Sequence, residues 1–144
     1  MGFFDWKEEY SVGINAINTQ HKIIIELMND LFESVRDDRE DLIIEEVLQE
    51  LIKYSKYHFG LEKTIFEKYN YPKLDDHLKE HRYFIEKIEL FMNELSTNKQ
   101  VVPIETLDYL KNWFQNHMMK TDVDYSKYFK EMDVITEIEN MKVE

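Results

Sequence analysis

Residues 58–81 read HFGLEKTIFEKYNYPKLDDHLKEH, a run with the pattern of a helical hairpin. His58 and Glu62 stand four residues apart, as do His77 and His81, so each pair shares one helix face a turn apart. Apolar residues extend both faces: Ile65 and Tyr69 beyond Glu62, then Phe84, Ile88, Phe91 and Leu95 beyond His81. Between the pairs, Tyr71-Pro72 breaks the pattern, because proline pushes the preceding residue out of the α region. The two pairs centre near position 69.5, beside that break. Antiparallel helices joined there bring all four side chains to one level.

The same reading extends in both directions. Helices are predicted over about 19–37, 41–70, 75–95 and 103–120. The first carries His21, Ile24, Ile25, Met28, Leu31, Phe32 and Val35 on one face. The second begins with Ile44, Val47, Leu48, Leu51 and Ser55 in line with His58, and the fourth carries Leu107, Leu110, Phe114 and His117. The charged stretch Asp37-Asp38-Arg39-Glu40 and the polar stretch Ser96-Thr97-Asn98 read as connections, with Pro103 in the first turn of the last helix. Short connections between four helices imply an all-α, antiparallel up-down-up-down four-helix bundle. Residues 1–18 read as an aromatic-bearing N-terminal arm and 125–144 as a short C-terminal extension, giving one domain over 1–144. His21 and His58 centre on 39.5, in the first connection, and the 77/81 pair and His117 centre on Asn98. Three turns therefore direct these side chains to one layer.

Composition narrows the chemistry. The 144 residues are 43% hydrophobic and 14% aromatic, enough for one proper core. The absence of cysteine excludes disulfides, thiolate zinc sites, Cys-ligated iron–sulfur clusters and a cysteine nucleophile. Gly2, Gly13 and Gly60 are too far apart for a phosphate-binding loop. The 30 acidic and 18 basic residues give a formal charge of −12, which repels nucleic acid and anionic lipid. No apolar run approaches membrane-spanning length, and the N-terminus MGFFDWKEEY has acids where a signal peptide needs basic and then apolar residues. The expectation is a cytoplasmic protein without nucleic-acid or membrane partners, acting as a monomer.

A single inward-facing histidine is ordinarily a structural residue. Here all five histidines (His21, His58, His77, His81 and His117) lie on apolar stripes, joined by Glu62. Buried polar groups without partners cost several kcal/mol each, so six in one small core require a common partner. His117 and Asp122 stand five residues apart, about 140° around an ideal helix. Asp122 then reaches the layer only where the helix frays or ends, and Asp124 competes with it on spacing. Imidazole ligands favour iron, copper, zinc or nickel, and bridging carboxylates favour a dinuclear iron or manganese centre. Five imidazoles, two bridging carboxylates and one bridging oxygen leave two six-coordinate ions a single open position. Such a vacancy suits capture of a small diatomic ligand.

These residues carry a resemblance. Trp6 with SVGINAINTQH (11–21), the 58–81 run and WFQNHMMKTD (113–122) are similar to the hemerythrin family in its single-domain bacterial form. The resemblance implies a non-haem di-iron centre (Fe2+/Fe3+ with an oxo or hydroxo bridge) that binds molecular oxygen reversibly. It implies that His77, His81 and His117 ligate the filled iron, and His21 and His58 the oxygen-receiving one. Glu62 and Asp122 would bridge them, which selects Asp122 over Asp124. Ile24, Phe59, Trp113, Phe114 and Met118 would wall the oxygen pocket and exclude water, roles compatible with ordinary packing. Tyr71 and Tyr125 lie near the site and read as packing residues. Lys63, Phe66, Asn18 and Met118 depart from the family's usual residues. They bear on pocket shape, oxygen affinity and autoxidation rather than on the ligand set.

The leading expectation is therefore an oxygen-binding protein for carriage, storage or delivery, not an enzyme. The alternatives are sensing through a separate partner and oxidase- or peroxidase-type activity. Carboxylate-rich di-iron enzymes use Glu-x-x-His pairs, and Glu80 has no histidine at that offset.

Overall fold

The computed structural model describes residues 2–37, 39, 41–98 and 104–141. Asp38, Glu40, Pro103 and the Leu95 side chain, all named above, lie outside the described residues. The helices are α1 (Asn15–Arg36), α2 (Asp41–Lys68), α3 (Leu74–Asn98), α4 (Ile104–Asn116), α5 (Asp122–Glu131) and α6 (Ile135–Glu139). A π-helical turn, His117–Thr121, joins α4 to α5 without a break, and there is no β-strand among the described residues. Helix α1 packs on α2 and α4, and α2 on α3. Phe84 of α3 stacks on Trp113 of α4 with ring centroids 4.7 Å apart, which closes the antiparallel bundle.

Several helix ends depart from the sequence reading. Helix α1 starts at Asn15, ahead of Thr19, although Ile14 at its cap offers no side-chain bond. The Glu139 carboxylate from α6 accepts the Asn15 backbone N–H instead, placing a negative charge at the positive end of α1. Asn18 ties down the preceding arm: its Oδ1 accepts Val12 N–H at 3.0 Å, and its Nδ2 donates to Ser11 Oγ at 2.8 Å. Helix α2 is closed before the proline acts. Asn70 adopts φ 54°, and Tyr71 N–H reaches back to Phe66 O at 2.9 Å. That is the left-handed cap in which, with Tyr69 as the capping position, the second residue beyond it bonds back into the last turn. Ser96, Thr97 and Asn98 are the last residues of α3 rather than a loop.

The C-terminal extension is largely helical. Helix α5 runs on from the π turn to Glu131, and a second left-handed residue, Asp133 (φ 61°), turns the chain into α6. The Tyr69 hydroxyl donates to Glu137 at 3.0 Å, holding α6 across the end of α2. The N-terminal arm lies against the other half of the bundle. Phe3 stacks on Phe32 at 4.3 Å, and Phe4 is 1% exposed, its backbone N–H and C=O both bonded to the Asn29 amide.

The apolar interior forms two clusters. One contains Phe4, Tyr10, Ile24, Met28, Leu48, Phe84 and Phe114; the other contains Val12, Ile14, Ile65, Phe66, Tyr71, Tyr125 and Phe129. Burial of each large apolar side chain contributes about 1.5–3 kcal/mol. A third set of side chains is equally buried but polar, and it occupies the middle of the bundle.

Candidate metal centre

This polar layer contains Gln20 and His21 from α1, Ser55, His58 and Glu62 from α2, and His77 and His81 from α3. His117 from the π turn and Asp122 from the start of α5 complete it. The seven candidate donors range from 0% to 4% exposed, out of contact with bulk solvent. The helical period alone places His58 over Glu62 and His77 over His81. Asp122 arrives by another route. Its backbone N–H bonds to His117 O, an i→i+5 bond, so the wider turn absorbs one residue without fraying or ending the helix. Asp124 sits at the surface, 3.3 Å from Lys73 Nζ.

The donor atoms converge. Two groups have ligand atoms mutually within 4.8 Å: Glu62, His77, His81 and His117; and His21, His58 and Glu62. Glu62 belongs to both. Its Oε1 lies 3.1 Å from His81 Nε2 and 3.4 Å from His58 Nε2. Asp122 spans the same two groups: Oδ1 lies 3.2 Å from His77 Nε2 and 3.1 Å from His117 Nε2, while Oδ2 lies 3.2 Å from His21 Nε2. These separations are short enough for hydrogen bonds, yet the Nε2 atoms of all five histidines and all four carboxylate oxygens lack an aligned partner. Each such buried orphan is costly in a purely structural core. The donor set is five imidazoles and two carboxylates pointing into one shared space, and a cation resolves all of it at once.

Electrostatics within the layer are polarised. Burial holds His58 down at about 3 against the opposing pull of Glu62 and Asp122, and burial lowers His81. For His117 burial also opposes the charge, but Asp122 and Glu80 outweigh it and raise the ring to about 10. The same contest at His77, with Asp122 and Glu62, ends at about 9. Burial opposes ionisation of both Glu62 and Asp122, and the Asp122 charge opposes it further at Glu62, yet the surrounding imidazoles hold both well below the usual carboxylate range. Without metal, His77 and His117 therefore hold imidazolium charges beside the two carboxylates.

Two residues absent from the ligand pattern orient it. His58 Nδ1–H donates to Gln20 Oε1 at 2.7 Å, which fixes the tautomer leaving Nε2 free for a metal. His117 Nδ1 lies 3.4 Å from Glu80 Oε2, and Thr121 Oγ donates to Glu80 Oε1 at 3.3 Å. Gln20 had one visible signal, an amide at the edge of an apolar stripe; Glu80 on a half-exposed face had none.

Rings surround the layer. Phe114 meets His21 edge-on at 5.5 Å, Phe59 stacks on His81 at 3.8 Å, and Trp113 stacks on His117 at 4.8 Å. Trp113 thus covers the three-histidine group rather than His21 and His58. Ile24 and Met118 are fully buried in the first apolar cluster. Phe66 meets His77 at 4.7 Å, and Lys63 is exposed at the rim of a cavity of about 400 Å³ between α2 and α3, whose wall includes Phe59 and His81. The Tyr125 hydroxyl is fully buried without an aligned partner, and burial raises it well above 10, with Glu62 and Asp122 adding to the effect. Tyr71 packs on Phe66 and Phe129.

A family model described as the hemerythrin HHE cation binding domain matches residues 12–129. The chain belongs to the hemerythrin family. All seven candidate donors lie inside the matched stretch. A bacteriohemerythrin of Clostridium acetobutylicum is 31% identical over 127 residues, 85% of this chain and 98% of that one. A bacteriohemerythrin of Pseudomonas aeruginosa is 30% identical over 125 residues, 87% of this chain and 80% of that one. A crystal structure of wild-type hemerythrin, 24% identical, matches with a TM-score of 0.80 over 87% of this chain and 96% of its own, a likeness of fold. No helix among the described residues is long and apolar enough to cross a membrane.

Proposed function

We propose that this hemerythrin-family chain binds molecular oxygen reversibly, for carriage, storage or delivery, as a single monomeric domain in the cytoplasm. One observation carries the reading: two groups of unpartnered imidazoles share Glu62, and Asp122 turns one oxygen toward each group. Two iron ions joined by an oxo or hydroxo bridge would supply reversible capture of a diatomic ligand at the one coordination position the side chains leave open. His77, His81 and His117 would hold one ion, His21 and His58 the other, with Glu62 and Asp122 bridging.

The remaining work belongs to the chain. Gln20 keeps the His58 proton on Nδ1 and presents Nε2 inward. Glu80 makes His117 a stronger electron donor by accepting toward its Nδ1 side. Ile24, Phe59, Phe114 and Met118 form the water-excluding side of the pocket, and Trp113 shields His117. The test is anaerobic titration of the reduced, iron-loaded protein with oxygen, followed by optical absorption. Uptake of one oxygen per pair of irons, recovered under vacuum, is expected. Irreversible oxidation with nothing recoverable would overturn the reading in favour of oxidase chemistry.

A further inference from the structure

One line of rings leads from this centre to solvent. Trp113 lies flat on His117, with centroids 4.8 Å apart and planes 10° apart. On its outer side Tyr83 follows at 6.5 Å, tilted by 32°. The Tyr83 and Tyr109 hydroxyls are hydrogen-bonded to each other. Both tyrosines are open to water, 40% and 43% exposed. Most other rings against the imidazoles are phenylalanines (Phe59, Phe66 and Phe114), which resist one-electron oxidation. Tyr125, 5.5 Å from His77, can be oxidised, but its hydroxyl is fully buried and sealed from water.

We infer that Trp113, Tyr83 and Tyr109 form an exit path for oxidising equivalents, ending in a Tyr83–Tyr109 cross-link when peroxide meets the centre without another reductant. The inference rests on the metal site proposed above, though not on its binding oxygen reversibly. Chemically, hydrogen peroxide breaks its O–O bond and takes up two electrons and two protons, leaving as two waters. Each tyrosine supplies one electron through Trp113 and one proton to solvent. The two phenoxyl radicals join by a carbon–carbon bond between ring positions ortho to the hydroxyls, and both hydroxyls are retained. The order of rings suits this direction, because a neutral tyrosyl radical lies below a tryptophanyl radical cation at neutral pH. Lys87 Nζ sits 5.4 Å from the Tyr83 ring and 5.6 Å from the Tyr109 ring. That cation disfavours a radical cation on either ring, so electron loss there is tied to release of the phenolic proton, which exposure to water permits.

The experiment treats iron-loaded protein with equimolar hydrogen peroxide and follows dityrosine fluorescence. Peptide mass mapping then seeks a Tyr83–Tyr109 pair lighter by two hydrogens, and iron per chain is measured in every sample. The cross-link is expected in the parent, absent in Tyr109→Phe, reduced to the iron-free background in Trp113→Phe, and restored in Trp113→Tyr. Undiminished cross-linking in Trp113→Phe at equal iron, equal cross-linking of iron-free protein, or abolition by Tyr125→Phe alone would overturn the path. Cross-linking without reversible oxygen uptake would leave the path standing and defeat the carrier reading; reversible uptake without cross-linking would do the opposite.

Discussion

The π turn at His117–Thr121 makes a prediction that ordinary helix geometry does not. On an α-helix, residues five apart stand about 140° apart, residues four apart about 40°, and residues six apart about 120° in the opposite sense. Asp122 faces His117 because one i→i+5 turn holds the extra residue. Deleting Met119, which is 40% exposed and contributes little packing, leaves His117 and Asp122 one α turn apart on the same face. Inserting an alanine between Met119 and Lys120 rotates Asp122 out of the layer and carries Tyr125 and Phe129 with it. The insertion removes the carboxylate that keeps His77 and His117 charged, and breaking such a buried pair costs about 3–5 kcal/mol. At roughly 2–4 °C per kcal/mol for a chain of this size, the metal-free protein should melt about 6–20 °C lower.

Scanning calorimetry of the metal-free variants and elemental analysis of the iron-loaded ones provide the measurement. The deletion should keep both irons and melt close to the parent; the insertion should lose iron and stability. Asp122→Asn keeps the helix register and the packing of Tyr125 and Phe129, so it separates loss of the carboxylate from damage to the core. An insertion variant with full iron content, or a deletion as iron-poor as the insertion, would refute the role assigned to the π turn.

Three further outcomes follow from the layer. His58→Ala should lose iron, whereas Phe59→Ala should keep both irons despite a cavity cost of about 3–5 kcal/mol and should oxidise faster in air; iron per chain and spectral decay compare them. Gln20→Leu should weaken metal binding by about 10–100-fold by freeing the His58 tautomer, as read by competition with a chelator. In the metal-free protein, His77 at about 9 and His117 at about 10 lie above the ordinary 6.5, so their contribution is complete below pH 6.5 and is lost as pH rises through 9–10. His58, held at about 3, acts in the other sense and costs stability as pH falls below 6.5. The melting temperature should therefore peak near neutrality, and a metal-free protein with no alkaline decline would contradict the paired imidazoliums.

What the sequence reveals follows the regular helical period. His58 with Glu62, and His77 with His81, needed only the α repeat, and the turns between helices brought the pairs level. Features set by distant or irregular backbone were not legible. The start of α1 depends on Glu139, far along the chain, because Ile14 supplies no cap. The α4–π–α5 continuity was hidden because an i,i+5 pair has the same sequence spacing whether the helix ends or widens. Nothing in HMMKT chooses between these outcomes; the inward pull on Asp122 from three imidazoles supplies the preference only after the bundle has assembled.

The two orienting residues expose a further limit of one-helix reasoning. Gln20 directly precedes His21 but bonds to His58 on α2; Glu80 directly precedes His81 but faces His117 in the π turn. A residue one position before a ligand points about 100° away around the helix. When the ligand points to the bundle axis, that direction lies along the seam with a neighbouring helix. Helices α1 and α3 therefore each present ligands to the centre and use the position before one of them to hold a donor on a neighbouring element. In α1 that position is buried and carries a neutral amide, matching a histidine kept neutral; in α3 it is half-exposed and carries a carboxylate, matching a histidine that holds charge. Exchanging these chemistries, with Gln20→Glu or Glu80→Gln, should shift the proton affinity of His58 upward and of His117 downward in the metal-free protein. Histidine titration by NMR reads both shifts, and an unchanged His117 in Glu80→Gln would remove Glu80 from the description of the site.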